Sequence, residues 1–218
     1  MGEMTKKKLL LGMIASVLAA CPTYGQVKLA VGAQGQIGPN LSLGPSVEIS
    51  AAIKRITFLS RDTLSLENHI ALGNGWANES ISTGTLWVAS KLGLTSGYEN
   101  TRYQVTLAKK HADYVLGGVT VKVGSDTQLT FAYQQEFHNG VRNGLETSHF
   151  RGGVFEIDTT LGCSDHGCLH FGLVNELGRI LEQGNPACDG SLGPVTCARN
   201  TAVSGNVQLR LMYSFGKH

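Results

Sequence analysis

The chain has 218 residues, a formal net charge of +2, only 16% charged residues and 28 glycines. So small a charge, with no basic cluster beyond the first few residues, excludes nucleic acid as a partner. Little charge and much glycine suit a chain whose outer surface meets lipid.

Residues 1–25 are predicted to be an export signal. Lys6, Lys7 and Lys8 form a positive start, and Leu9 to Ala20 is an apolar stretch ending in small residues. That stretch suits a signal-peptide core and is too short to cross a bilayer as a helix. Two processing sites compete. Leu18-Ala19-Ala20-Cys21 resembles a lipobox, in which Cys21 would be lipidated and begin the mature chain. Thr23-Tyr24-Gly25 before Gln26 resembles an ordinary signal-peptidase site, and strand character begins directly afterwards, at Val27. The mature part, 26–218, is one domain's worth of chain.

Short runs of period-two alternation then follow one another, separated by turn residues. Val27, Leu29, Val31 and Ala33 alternate with Lys28, Ala30, Gly32 and Gln34. Val47, Ile49, Ala51 and Ile53 oppose Glu48 and Ser50, and a slip near Lys54-Arg55 predicts a bulge within a strand reaching Phe58. Leu64, Leu66 and Ile70 oppose Ser65, Glu67 and His69. Thr85 to Thr95 reads as one strand, Arg102 to Ala108 as the next and Val115 to Val123 as the sixth. Leu129 to Gln134, Phe155 to Leu161, Leu169 to Val174 and the run from Val207 complete the set. Ten strands result, with eight as the alternative, because bacterial single-chain barrels have even strand numbers.

The final run is the most regular. Val207, Leu209, Leu211, Tyr213 and Phe215 share one side, opposite Gln208, Arg210, Met212 and Ser214. If the last strand descends to the periplasm, every second connection should be short. The short ones are expected at Ser60–Thr63, Ser96–Thr101, Gly124–Asp126 and Cys163–Cys168. Longer outer loops are expected at Gly73–Gly84, His138–His149 and Glu182–Val203, and a brief link at His111–Asp113 breaks the trend.

Alternation, loop asymmetry and an aromatic-ended last strand over residues 26–218 resemble the small outer-membrane β-barrels of Gram-negative bacteria, such as the OmpA membrane domain and related adhesin and porin-like proteins. The resemblance implies a closed antiparallel transmembrane β-barrel in the outer membrane. It implies contact with outer-membrane lipid and lipopolysaccharide, the barrel-assembly machinery and an extracellular surface partner, and no cofactor. The Gly216-Lys217-His218 stub departs from the pattern, since such barrels end at the terminal aromatic.

Four cysteines remain once Cys21 is set aside as lipid anchor or signal residue. In an exported chain they predict the disulfides Cys163–Cys168 and Cys188–Cys197, each pair close in sequence. Zinc held by cysteines with His166 or His170 is the sharper alternative, although the spacing matches no usual zinc pair.

The polar sides of the runs form a lumen list. Lys28, Glu48, Lys91, Glu156 and Arg210 are expected to pair in a charge network filling a narrow barrel. Arg210 is expected to find Glu156 or Glu176, or Glu48 if the last strand closes on the first ones. A lipid-modifying or proteolytic barrel enzyme is the alternative; its candidates are Glu67 and His69 on one strand and Ser148-His149 near the outer rim, with no recognisable third partner. Trp76 and Trp87 read as interface or packing residues. A soluble lipocalin-like barrel is the rival from another class. It would turn the apolar side of every strand inward, and alternation alone does not say which side is inside.

Overall fold

The computed structural model describes residues 25–38, 40–69, 73–106, 109–142, 147–183 and 201–215. They form ten strands: β1 (Gly25–Ile37), β2 (Asn40–Ile53), β3 (Ile56–His69), β4 (Gly73–Trp87), β5 (Leu92–Val105), β6 (Lys109–Val123), β7 (Thr127–Arg142), β8 (Thr147–Ser164), β9 (Gly167–Gln183) and β10 (Thr201–Phe215). Each pairs antiparallel with its neighbour in sequence, and β1 pairs with β10, so the sheet closes into a barrel with no free edge.

The register fixes the shape. A path at right angles to the strands runs from Gly25 through Ile53, Ile56, Leu86, Leu94, Val119, Phe131, Phe155, Asn175 and Val207 and returns to β1 at Ile37. The stagger, from position 25 to position 37, is twelve residues. With ten strands that stagger corresponds to a tilt of about 40°.

The polarity of the wall is the reverse of a water-soluble core. On β10, Gln208, Arg210, Met212 and Ser214 are buried, while Leu209, Leu211 and Phe215 stand exposed on the outside. Leu29 and Val31 on β1, Leu41, Leu43 and Val47 on β2, Val115 and Val119 on β6, and Phe131 and Tyr133 on β7 are exposed in the same way. The lipocalin-like arrangement is therefore corrected: the apolar sides of these strands face out and the polar sides face in.

Several boundaries also differ from the sequence reading. Lys54-Arg55 is not a bulge but the whole turn between β2 and β3, with Lys54 in the left-handed region at φ 53°. Ser60–Thr63 and Ser96–Thr101, expected as turns, lie inside β3 and β5, and Gly73–Gly84, expected as an outer loop, is most of β4. The run Thr85 to Thr95 contains the β4–β5 turn, and His111–Asp113 lies within β6. The tight turns after β2, β4, β6 and β8 all lie at the end of the barrel that holds Gly25 and Phe215. At the other end, only the connection between Gln183 and Thr201 is long. Thus the expected loop asymmetry reduces to that one connection, because the strands run on beyond any apolar band and their polar ends read as loops. Residues 1–24, which hold all but the last residue of the expected export signal and include Cys21, lie outside the described residues, as do Cys188 and Cys197, while Gly25 already belongs to β1.

Candidate functional site

The lumen is the only enclosed space a closed barrel offers, and its chemistry follows from the inward sides of the strands. Its centre is a charge network around two arginines. Arg210 on β10 is 2% exposed and donates to a carboxylate oxygen of Glu156 on β8, with Asp158 at 3.8 Å. β9 lies between them, and Gly172, the register partner of Arg210, leaves the path clear. A Cβ at Gly172 would stand 2.6 Å from Arg210 Nε.

Arg61 on β3 is the second centre, 3.6 Å from Glu48 on β2 and 3.9 Å from Glu156. β3 and β8 are five strands apart in either direction around the barrel. Contact between opposite walls means that the lumen is bridged at this level. Two buried arginines sharing Glu156 are also kept beside counter-charges, the half-buried carboxylates of Glu48, Glu156 and Asp158, which low-dielectric surroundings require.

Amides and hydroxyls complete the closure. Gln34 donates to Glu79 and to Gln208, each at 3.3 Å, and the Thr63 hydroxyl, with one proton to give, lies 3.5 Å from Gln34 Oε1 and 3.0 Å from the Ser46 hydroxyl. Gln134 donates to Glu99 at 2.8 Å, and Asn206 donates to Glu176 at 2.9 Å. Gln34, Gln134 and Gln208 are all buried. Between this layer and the tight-turn end lies a cavity of about 440 Å³. One side of it carries a ladder of hydroxyls, Thr85 to Thr95 at 2.9 Å, Thr95 to Thr120 at 2.6 Å and Thr120 to Thr130 at 2.9 Å. Trp87 faces this cavity rather than the membrane interface. Its Nε1–H donates to Thr57 Oγ1, and Lys122 Nζ sits 4.1 Å from its ring centroid.

Of the residues expected in the network, Glu48, Glu156 and Arg210 are part of it, and Lys28 lines the cavity below. Lys91 is corrected: it lies in the exposed β4–β5 turn, because the strand expected to carry it ends at Trp87. Arg61, Glu79 and Glu99 were not anticipated. All three lie in segments that read as connections.

The enzyme candidates divide between opposite walls. Glu67 on β3 is buried and accepts from Ser65 at 3.1 Å. His69 ends the same strand opposite Asn40, while Ser148 and His149 belong to β8, paired with Glu182 and Leu181. The side chains of His69, Ser148 and His149 lie outside the described residues.

Cys163 and Cys168 are register partners across the β8–β9 turn and are bonded, with Cα atoms 4.0 Å apart. Neither is then available as a zinc thiolate, and among the described residues no group of three His, Cys, Asp or Glu is placed to hold a metal ion. The short closed loop limits its worth: replacing both cysteines by serine should cost about 2 kcal/mol or less. Peptide mapping without reduction should return 163–168 as an internally bridged peptide and Cys188 joined to Cys197. A bridge linking the two regions would overturn that pairing.

These features define a closed ten-stranded barrel with a largely apolar exterior and a charged lumen bridged by side chains. No protein-family model matches the chain, and no curated protein matches it. Among solved structures it is similar to the KdgM porin in complex with disordered oligogalacturonate, at 9% identity and TM-score 0.39 over 87% of this chain and 99% of that one. It is similar to the outer membrane protease OmpT from Escherichia coli at 6% identity and TM-score 0.38, over 91% and 98%. The translocator domain of the autotransporter NalP from Neisseria meningitidis gives 11% identity and TM-score 0.38, over 98% and 95%.

Proposed function

We propose that the chain is an outer-membrane barrel plugged by its own side chains, with a structural or surface-interaction role carried by its wall and outer loops. The observation that carries the reading is the reversed polarity of the wall. Water does not tolerate so extensive a surface of exposed Leu, Val and Phe, whereas a bilayer favours it. The strand lengths agree. A 15-residue strand tilted by about 40° rises roughly 38 Å, more than the apolar band of about 25 Å that such barrels present. An N-terminal export signal supplies the route, and an odd number of crossings is avoided, so both chain ends and the tight turns face the periplasm.

The bridged lumen supports a plug rather than a channel. Lipid and lipopolysaccharide would contact the wall, the assembly machinery would insert it, and an extracellular partner would meet the β9–β10 loop. No observation favours the enzyme reading. The test is fractionation followed by refolding. The protein should sediment with outer membranes, shift its gel mobility on boiling, and give no steady conductance in planar bilayers. Recovery as a soluble periplasmic protein would sink the membrane reading, and a steady open pore would sink the plug.

A further inference from the structure

The outer wall is mostly apolar; single polar residues interrupt it at Gln135 on β7 and Asn175 on β9, and three adjacent strands, β3, β4 and β5, carry a run of them. Down the outside of β3 the column reads Phe58, Ser60, Asp62, Leu64, Leu66, so two polar residues, one of them charged, lie between apolar ones. Their register partners on β4 are Ser82 and Ser80, and the next column, on β5, carries Ser96, Tyr98 and Asn100. Ser60 and Ser82 hydroxyls are 3.2 Å apart, and Ser80 donates to Asp62. Asp62, Ser60 and Ser82 are exposed. Elsewhere the same level of the wall holds Val31, Val47, Val119, Phe131, Leu173 and Leu209.

Resting on the membrane-spanning reading, we propose that this β3–β5 stripe is the contact face for a second copy of the chain. A carboxylate facing hydrocarbon is unfavourable, and more so towards the middle of the bilayer, so the stripe needs polar cover within the membrane. The stripe is complementary to itself. In a two-fold dimer about an axis along the membrane normal at β4, β3 of one copy faces β5 of the other. Because the strands tilt, the level of a β3 residue falls on β5 about two positions below its register partner. Ser60 is thereby set against Ser96, while Asp62 keeps the Ser80 hydroxyl as donor and comes level with Tyr98, whose own hydroxyl donates to Asp113. Serine hydroxyls both donate and accept, so identical columns can pair. Serines and Gly84 along β4 let the two walls approach closely, as small residues do between membrane helices.

The experiment places a photo-crosslinking amino acid at Ser82, on the axis, and separately at Leu173 on β9, on the opposite wall. Both proteins are refolded into phosphatidylcholine–phosphatidylglycerol vesicles and irradiated. A band at twice the monomer mass from position 82, and none from 173, is expected. A triple variant, Asp62→Leu, Ser80→Leu, Ser82→Leu, should leave the mobility shift on boiling intact and reduce wild-type dimer, measured by native mass spectrometry, at least tenfold. A heat-shifting barrel that cross-links from neither position, or from 173 alone, overturns the dimer while leaving the membrane reading in place. Failure of the wild type to insert and shift overturns both.

Discussion

Arg61→Ala with Arg210→Ala should convert a silent barrel into a leaking one. In the wild type these guanidiniums hold Glu48, Glu156 and Asp158 together, and Arg61 reaches from β3 to the opposite wall at β8. Without them the carboxylates repel one another and no side chain on β3 replaces the bridge. Steady conductance in planar bilayers is the expected result, selective for cations because Glu48, Glu79, Glu99, Glu156, Asp158 and Glu176 outnumber Lys28 and Lys122. Each single variant should also lose stability, by about 3–5 kcal/mol for removal of one partner from a buried ionic network. The two losses should not add, because both arginines use Glu156. Urea unfolding in vesicles measures all three variants. Unchanged stability and continued silence in the double variant would show that the amide layer around Gln34, Gln134 and Gln208 closes the lumen alone.

The second large effect concerns the outside of the wall. Leu209→Arg, in the middle of the outer column of β10, should cost about 2–4 kcal/mol in vesicles, whereas Ile37→Arg at the far end of β1 should cost about 0–1 kcal/mol. Both residues are exposed, at 39% and 59%, so in a barrel dissolved in water neither change would matter much. A depth-dependent penalty thus reports lipid contact directly. Equal and small losses at the two positions would be incompatible with a membrane-spanning wall.

The stripe on β3–β5 explains where the sequence is hard to read. Alternation is legible only when one side of a strand is apolar. On β1, β2, β6 and β10 it is, and the alternating runs Val27–Gln34, Val47–Ile53, Val115–Val123 and Val207–Phe215 all lie inside strands, although β2, β6 and β10 begin six or seven residues earlier. On β3, Ser60 and Asp62 point outward while Arg61 and Thr63 point inward, so four polar residues in a row look like a turn. The same holds for Glu79 among Asn78 and Ser80, and for Glu99 between Tyr98 and Asn100. Three lumen charges, Arg61, Glu79 and Glu99, were therefore missed by the feature that makes the outside of these strands unusual. Lys91 was misplaced for a related reason: Leu86, Val88, Leu92 and Leu94 continue an apolar rhythm across a turn that the backbone makes between them.

The sequence by itself determined that this is an all-β chain of about ten antiparallel strands and placed the tight turns at 124–126 and within 163–168, because period-two patterning and turn residues are local properties; the turns after β2 and β4 it set inside strands. It also brought Cys163 within reach of Cys168, five positions on across one tight turn. Only the tertiary structure decided which side of each strand is the inside, since an alternating pattern is symmetric until closure curls the sheet one way. Closure also decided that Arg61 meets Glu156. No local rule relates positions on opposite walls; their contact depends on strand number and the twelve-residue stagger, which together set how narrow the barrel is.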